Sequence, residues 1–319
     1  MAKSRPTFGS CWDARLRFGV MEQTPTRAEP SILPGRTFSI GGNLPVHRLG
    51  FGAMRLADGS APSSESLVWS APDDPRRARA VLQRAVDLGI DLIDTADSYG
   101  VGANEELVAS ALHPYPDRTV ISTKVGVVRP SPREWIPLGR PEYLKQQAEL
   151  SLRRLNLERL DLLFLHRIDP QVPLADQIGA FKELQDEGKV RHIGLSEVTV
   201  EEIEEARRTA PVAAVQSVYN VADRKNEAVV EHCAGLGIAF LAYFPLAVGA
   251  QARPTGPLAE VAKEAGATPA QIALSWLLHS SPCVLPIPGT SSIAHLEENQ
   301  AAADLSLTPE QLAKLSQAA

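Results

Sequence analysis

The eleven residues from Ile90 to Gly100 read I-D-L-I-D-T-A-D-S-Y-G, and their reading decides the fold. The apolar run of Ile90, Leu92 and Ile93 stops abruptly at Asp94, and Tyr99 and Gly100 follow within six residues. This is the pattern of a short buried strand that delivers polar groups at its C-terminal end. A carboxylate and a phenol are poor packing groups there, since each needs a buried partner or water. They are expected to be site chemistry if neighbouring strands bring partners to them.

Upstream, residues Arg36 to Leu49 alternate around Gly41, Gly42 and Asn43, which predicts a β-hairpin with a glycine turn. Leu49 to Met54 reads as a first buried strand, and its Gly50 and Gly52 leave room for something to approach the backbone. Asp74 and Pro75 read as the cap and first residue of a helix in which Val81, Leu82, Ala85 and Leu88 recur at helical spacing. Downstream, strands are expected at 118–123, 160–165, 190–195, 212–217, 237–242 and 283–287. Helices are expected at 103–112, 141–154, 173–187, 199–209, 225–236, 268–280, 292–302 and about 308–317. With the opening stretch this makes eight strands, so the expected α/β fold is a closed (β/α)8 TIM barrel over residues 36–319. A doubly wound sheet is the runner-up, weakened because no G-x-G-x-x-G follows the first strand. Residues 1–35 are rich in Thr, Ser, Pro and Arg and follow neither period, which predicts a disordered N-terminal extension. A true start at Met21 is the plain alternative.

Composition narrows the function. The chain of 319 residues carries 32 Lys+Arg against 38 Asp+Glu, and its basic residues are scattered, so nucleic acid is not an expected partner. The three cysteines, Cys11, Cys233 and Cys283, are odd in number and nowhere in Cys-x-x-Cys spacing, which argues against a disulfide framework or a zinc site. No apolar segment approaches the roughly 18 residues of a membrane span. Residues 1–20 are basic but lack a continuous apolar core, so no secretory signal is expected. These features together predict a soluble protein of a reducing cytoplasm, and none of them sets an oligomeric state.

In such a barrel the chemistry lies at the C-terminal ends of the strands. Asp94 and Tyr99 follow the second strand, Lys124 the third and His166 the fourth. Taken singly, a lysine there is usually solvated, a histidine usually a hydrogen-bonded packing residue, and a loop tyrosine often a cover over apolar surface. Together on consecutive strands they form a proton-transfer set. Lys124, held by Asp94, is expected to lower the Tyr99 phenol from about 10 and make it a general acid.

The stretches D-T-A-D-S-Y-G, S-T-K-V-G, F-L-H-R, H-I-G-L-S, A-V-Q-S-V-Y-N, A-Y-F-P-L and I-P-G-T-S-S resemble the aldo-keto reductase family over about residues 36–317. Within it the chain most resembles bacterial reductases of the pyridoxal reductase (pyridoxine dehydrogenase) type. The resemblance implies a barrel, NADPH bound without a Rossmann domain, with NADH as the alternative, and reversible reduction of a small-molecule aldehyde or ketone. It makes Tyr99 the proton donor, Asp94 and Lys124 its tuners, and His166 the group that orients the carbonyl. It makes Ser196 and Gln216 partners of the nicotinamide carboxamide and Tyr243 the ring on which nicotinamide stacks. It also implies cofactor contacts at Gly52, Ala53, Pro245 and Leu246, with Glu298 and Asn299 on the adenine side.

The phosphate end can be reasoned from the residues themselves. Gly289, Thr290, Ser291 and Ser292 follow the last strand and open a helix, where N–H groups and hydroxyls converge as a phosphate requires. A plain N-cap would need only one serine. Two departures from the family pattern stand out. Glu197 follows Ser196 where many members have Asn, and Gly289 and His295 stand where many bind the 2′-phosphate with Lys and Arg.

Two readings of function follow: a carbonyl reductase and, on the same fold, a non-catalytic nucleotide-sensing subunit like the potassium-channel β-subunits. The full set of four polar residues favours the enzyme. A metal-dependent hydrolase is weaker, because the chain shows no metal-ligand spacing. Substrate choice is expected from the loops 126–140 and 244–257, where Trp135, Phe244 and Met54 offer a flat apolar pocket suited to an aromatic aldehyde such as pyridoxal.

Overall fold

The computed structural model describes residues 36–57, 67–247 and 256–317, so the expected disordered extension lies outside the described residues. The described chain opens on the expected hairpin, β1 (Thr37–Ile40) and β2 (Leu44–His47). Its turn uses Gly41 and Gly42 at positive φ, and a side chain at Gly41 would overlap the His192 ring. A side chain there would have to displace the His192 ring, which is hydrogen-bonded to Asn43 of the same turn.

The barrel strands then alternate with helices as the sequence predicts. They are β3 (Phe51–Gly52), β4 (Leu92–Asp94) and β5 (Val120–Val125), with α1 (Pro75–Asp87) and α2 (Ala103–Leu112) between them. After a small antiparallel pair, β6 (Val127–Val128) and β7 (Ile136–Pro137), come α3 (Pro141–Leu155), β8 (Leu160–Leu165), α4 (Leu174–Asp186) and β9 (Val190–Ser196). The chain continues through α5 (Val200–Arg207), β10 (Val212–Val218), α6 (Glu227–Leu236), β11 (Ala239–Tyr243), α7 (Pro257–Ala265) and α8 (Pro269–Ser280). It ends with β12 (Val284–Pro286), α9 (Ile293–Ala301) and α10 (Pro309–Gln317).

Eight parallel strands run in the order β3-β4-β5-β8-β9-β10-β11-β12. Two backbone hydrogen bonds bring the ends of that sheet together: Gly50 N–H donates to Pro286 O at 3.0 Å and Gly52 N–H to Pro288 O at 3.2 Å. The group that approaches the glycine-rich first strand is therefore the last strand. A Cβ at Gly52 would lie 2.8 Å from Ile287 O, and one at Gly289 would lie 2.5 Å from Gly52 O.

Packing follows the period of two. Leu92, Leu162, Phe164, Leu241 and Leu285 cluster inside the barrel with Ile40, Leu44 and Val46 of the hairpin, which plugs the N-terminal end. Their neighbours Ile93, Leu163, Leu165, Phe240 and Val284 join the second cluster, beneath the helices. Strands buried on both faces must be continuously apolar, and L-D-L-L-F-L is nearly so. The polar groups at the C-terminal ends of the strands, Asp94, Lys124 and His166 among them, build the site.

Three expectations need correction. The first strand is only two residues long, so Met54 lies in a 3-10 turn over Ala53–Leu56. This short strand pairs with β4 on one side, while the N–H groups of Gly50 and Gly52 close the seam on the other. The third strand runs two residues later than expected, so Lys124 sits within it and not after it. The loops at 126–140 and 244–257 contain the β6–β7 pair and the first residue of α7, a helix the sequence reading missed because it follows a Pro- and Gly-rich run.

Candidate active site

At the barrel mouth the polar ends of β4, β5 and β8 converge, as expected for Asp94, Lys124 and His166. Lys124 Nζ donates to Asp94 Oδ2 at 2.6 Å, to Thr95 O at 2.8 Å and to the Tyr99 hydroxyl at 3.3 Å. The same ammonium lies 4.8 Å from the centre of the Tyr99 ring. Asp94 is held from its other oxygen by Ser122 Oγ at 2.8 Å and Gln216 Nε2 at 2.9 Å. Side chains of β5 and of the more distant β10 thus fix the one carboxylate at the end of β4.

Tyr99 reaches this point through an unusual backbone. Gly100, Val101 and Gly102 have φ of 57°, 52° and 96°, a left-handed run that two glycines accept and an exposed valine tolerates under strain. Thr95 Oγ1 donates to Asn104 Oδ1 while Asn104 Nδ2 donates to Ala53 O, tying the turn after β3 to the start of α2. His166 packs edge-on to Tyr99, with ring centres 5.9 Å apart, and its Nδ1 is paired with Ser98 Oγ at 3.1 Å.

The electrostatics correct one expectation. Burial pushes the Tyr99 phenol above its ordinary 10 and Asp94 adds to that, so the opposing pull of Lys124 does not bring it down. Burial alone would lower the Lys124 ammonium, but Asp94 and the Tyr99 oxygen reverse this and hold it above its usual range. His166 lies well below 6.5, through burial first and then the cations of Lys124, Arg167 and Arg129, and is neutral at pH 7. The site therefore presents a protonated phenol, a charged ammonium and a neutral imidazole.

Trp135 stands edge-on to Tyr99 at 6.4 Å and to His166 at 6.1 Å, which places its ring beside these two side chains. Met54 packs against the small cluster around Tyr99, while Phe244 is exposed with a positive φ. The sequence reading missed Arg129. Its guanidinium lies 3.6 Å from the centre of the Trp135 ring and donates to the carbonyls of Leu67, Val68, Ser98, Pro132 and Glu134. No local period marks such a residue, because its partners are spread over three loops.

The residues expected at a cofactor lie on or after β3, β9, β10, β11 and β12. Gln216 spends its amide N–H on Asp94, and Ser196 Oγ accepts from Arg167 Nη1 at 3.1 Å. Tyr243 donates to Glu197 Oε1 at 2.8 Å, and Val218 N–H donates to the same oxygen, so Glu197 positions the tyrosine ring. Gly52 and Ala53 belong to the seam and the turn after it, Ala53 with its side chain in the core. Pro245 and Leu246 follow Tyr243, Leu246 packing on the core. Ahead of α9, Thr290 Oγ1 accepts from Ser292 N–H and Ser292 Oγ from His295 N–H. His295 itself is exposed and Asn299 buried, while Glu298 accepts from Thr268 Oγ1 at 2.6 Å. A cation the sequence reading missed lies at this loop: Arg77 of α1 donates from Nε to Ser291 O at 3.2 Å.

Among the described residues no helix is long and apolar enough to cross a membrane, and no three His, Cys, Asp or Glu side chains group as a metal site.

The comparisons with known proteins agree with this geometry. The model of the aldo/keto reductase family matches residues 48–319. An uncharacterised oxidoreductase of Schizosaccharomyces pombe is 47% identical over 277 residues, covering 86% of this chain and 88% of its own. Pyridoxine 4-dehydrogenase of Escherichia coli is 40% identical over 289 residues, covering 89% and 98%. A solved aldo-keto reductase from Klebsiella pneumoniae, in complex with NADPH, superposes with a TM-score of 0.74 at 29% identity, covering 90% of this chain and 95% of that one. The barrel, its polar mouth and these relatives lead to one conclusion: the chain is an oxidoreductase belonging to the aldo/keto reductase family.

Proposed function

We propose that this protein reduces a small aldehyde or ketone to the alcohol with NADPH, using Tyr99 as general acid, and that pyridoxal-type aromatic aldehydes are among its substrates. The observation that carries this reading is the ammonium of Lys124, which bridges Asp94 and the Tyr99 hydroxyl in a setting nearly closed to solvent.

The residues present fit a nicotinamide dinucleotide. Gln216 has its N–H engaged by Asp94, which leaves its carbonyl as an acceptor for a carboxamide N–H, and the loop before α9 offers the N-terminus of a nine-residue helix to a phosphate. Arg77 adds a permanent cation beside that loop, where the chain lacks the Lys and Arg of many relatives. When bound, the reduced cofactor supplies the hydride that goes to the carbonyl carbon. The protein's part is protonic and electrostatic. Burial keeps the Tyr99 phenol protonated at working pH, ready to donate to the carbonyl oxygen, and the fixed charge of Lys124 stabilises the phenolate that results. The His166 tautomer that accepts from Ser98 Oγ at Nδ1 carries its proton on Nε2, from which it would donate to the same carbonyl oxygen. Trp135, held by Arg129, gives a flat wall against which an aromatic aldehyde would stack.

The test is NADPH consumption with 4-nitrobenzaldehyde and with pyridoxal, in the wild type and in Tyr99→Phe. Turnover should fall by about a hundred- to ten-thousandfold in the variant with NADPH binding retained. Near-wild-type activity in Tyr99→Phe would remove Tyr99 from the mechanism. NADPH binding without turnover of any carbonyl would favour the nucleotide-sensing reading.

A further inference from the structure

Arg167 stands apart from the other guanidiniums near the site. Arg154 is paired with Glu105, and Arg129 is spread over backbone carbonyls. Arg167, half-buried and one residue past His166, donates only from Nη1, to His166 O at 2.5 Å and to Ser196 Oγ at 3.1 Å. Among the described residues no carboxylate lies within ion-pair distance of it. The nearby carboxylate on β9's end, Glu197, is held instead by Tyr243 and Val218. Its remaining N–H groups are thus available at the mouth of β8 and β9.

We propose that Arg167 docks substrates that carry an ionised oxygen, a carboxylate or a phenolate, beside the reacting carbonyl. This rests on the reductase reading above and narrows its substrate class. The position argues for substrate over a cofactor phosphate. The loop suited to phosphate follows β12, which stands four strands from β8 in the sheet and hence across the barrel. What lies beside Arg167 is His166, the group proposed to orient the carbonyl. The charge of Arg167 is felt at the site itself, where it opposes the burial that raises the phenols of Tyr99 and Tyr243 and adds to the burial that lowers the His166 imidazole. A planar guanidinium binds a carboxylate or a phenolate through directed N–H groups, so an ortho oxyanion and the aldehyde oxygen would be held at once by Arg167 and His166. Pyridoxal, with a ring hydroxyl next to its aldehyde, falls in this class.

The probes are 2-carboxybenzaldehyde and its neutral counterpart 2-nitrobenzaldehyde, assayed with the wild type, Arg167→Met and Arg167→Lys. The wild type should favour the carboxylate. In Arg167→Met the KM for 2-carboxybenzaldehyde should rise roughly ten- to a hundredfold relative to that for 2-nitrobenzaldehyde, the loss expected for one charged hydrogen bond, with kcat changing less than KM. Arg167→Lys should recover part of the preference. NADPH affinity, read by fluorescence titration, should stay within about twofold, since one neutral carboxamide contact is the most Arg167 could add. An equal rise in KM for both aldehydes, or a weakened NADPH complex with no change in preference, would overturn the proposal and make Arg167 a support for Ser196. Benzoate binding to the NADP+-loaded protein, followed by calorimetry, needs no turnover. If neither aldehyde is reduced the reductase reading fails, yet benzoate binding lost in Arg167→Met still upholds the anion site, and binding indifferent to that change overturns it.

Discussion

Lys124 Nζ stands 2.6 Å from Asp94 Oδ2, and the two side chains are 1% and 4% exposed, so the charged centre of the site is an ion pair almost wholly out of water. Such a pair costs more to break than it contributes when intact. Removing one partner strands the other charge, at about 3–5 kcal/mol. Lys124→Met should therefore melt well below the wild type, and Asp94→Asn combined with Lys124→Met should recover part of that loss. Both variants should lose most turnover. Because Lys124 is the cation that pulls the phenol down, its removal should move the alkaline limb of the reduction rate to higher pH. An unchanged limb would separate Lys124 from Tyr99.

The buried Asp97 carries a stability signature. It is 6% exposed and its Oδ1 has no partner, while burial first, and then Glu105, push the carboxyl well above its usual range against the pull of Arg154, the Ser98 N–H and Lys124. The folded carboxyl keeps a proton that the unfolded chain loses near pH 4, so its contribution to stability falls as pH rises from about 4 through the folded pKa. Asp97→Asn should flatten this loss. Thermal melts from about pH 5 to about pH 8 should show the wild type falling relative to the variant across that window. Parallel melting curves would mean that Asp97 is ionised in the folded state.

Cofactor choice separates Arg77 from His295. Arg77 lies against Ser291 O, whereas His295 occupies the exposed first turn of α9. If both face the 2′-phosphate, Arg77→Ala should weaken NADPH by roughly tenfold, the value of one charge-assisted hydrogen bond, and leave NADH alone. His295→Arg should tighten NADPH, since guanidinium is always charged and can bind in a fork. Fluorescence titration with both cofactors checks this. Equal shifts for NADPH and NADH would place neither residue at the phosphate.

The barrel seam offers a test of fold alone. A Cβ at Gly289 meets backbone oxygen and not a yielding side chain, so Gly289→Ala should destabilise by about 1–3 kcal/mol. Gly179, inside α4 with open space around its missing Cβ, should gain about 0.5–1 kcal/mol on becoming alanine. Denaturant midpoints of the two variants should move in opposite directions.

Much of the candidate site was legible because barrel chemistry concentrates where apolar strands end. Asp94 closes an apolar strand, His166 follows another, and Lys124 lies one residue from the end of β5, so reading strand ends found all three. Ser122, Ser98 and Arg129 escaped that reading. Ser122 precedes Lys124 by two residues and looks like part of a buried strand, and its role appears only when β5 pairs with β4. The β6–β7 pair is two residues on each side, too short for any period to register.

By itself the sequence determined the alternation of strands and helices, the hairpin and the chemical identity of the groups at the mouth. Periods of 2 and 3.6 are properties of neighbouring residues along the chain, and they survive without knowledge of what packs on what. Only the tertiary structure decided the closing seam of glycines, the side chains that hold Asp94, and the sign of the Tyr99 shift. The residues name a cation near a phenol, which suggests a lowered pKa, but the outcome depends on how much water is excluded and how close Asp94 lies. Burial and distance through space are not carried by any local pattern, because both are set by strands brought together from distant parts of the chain.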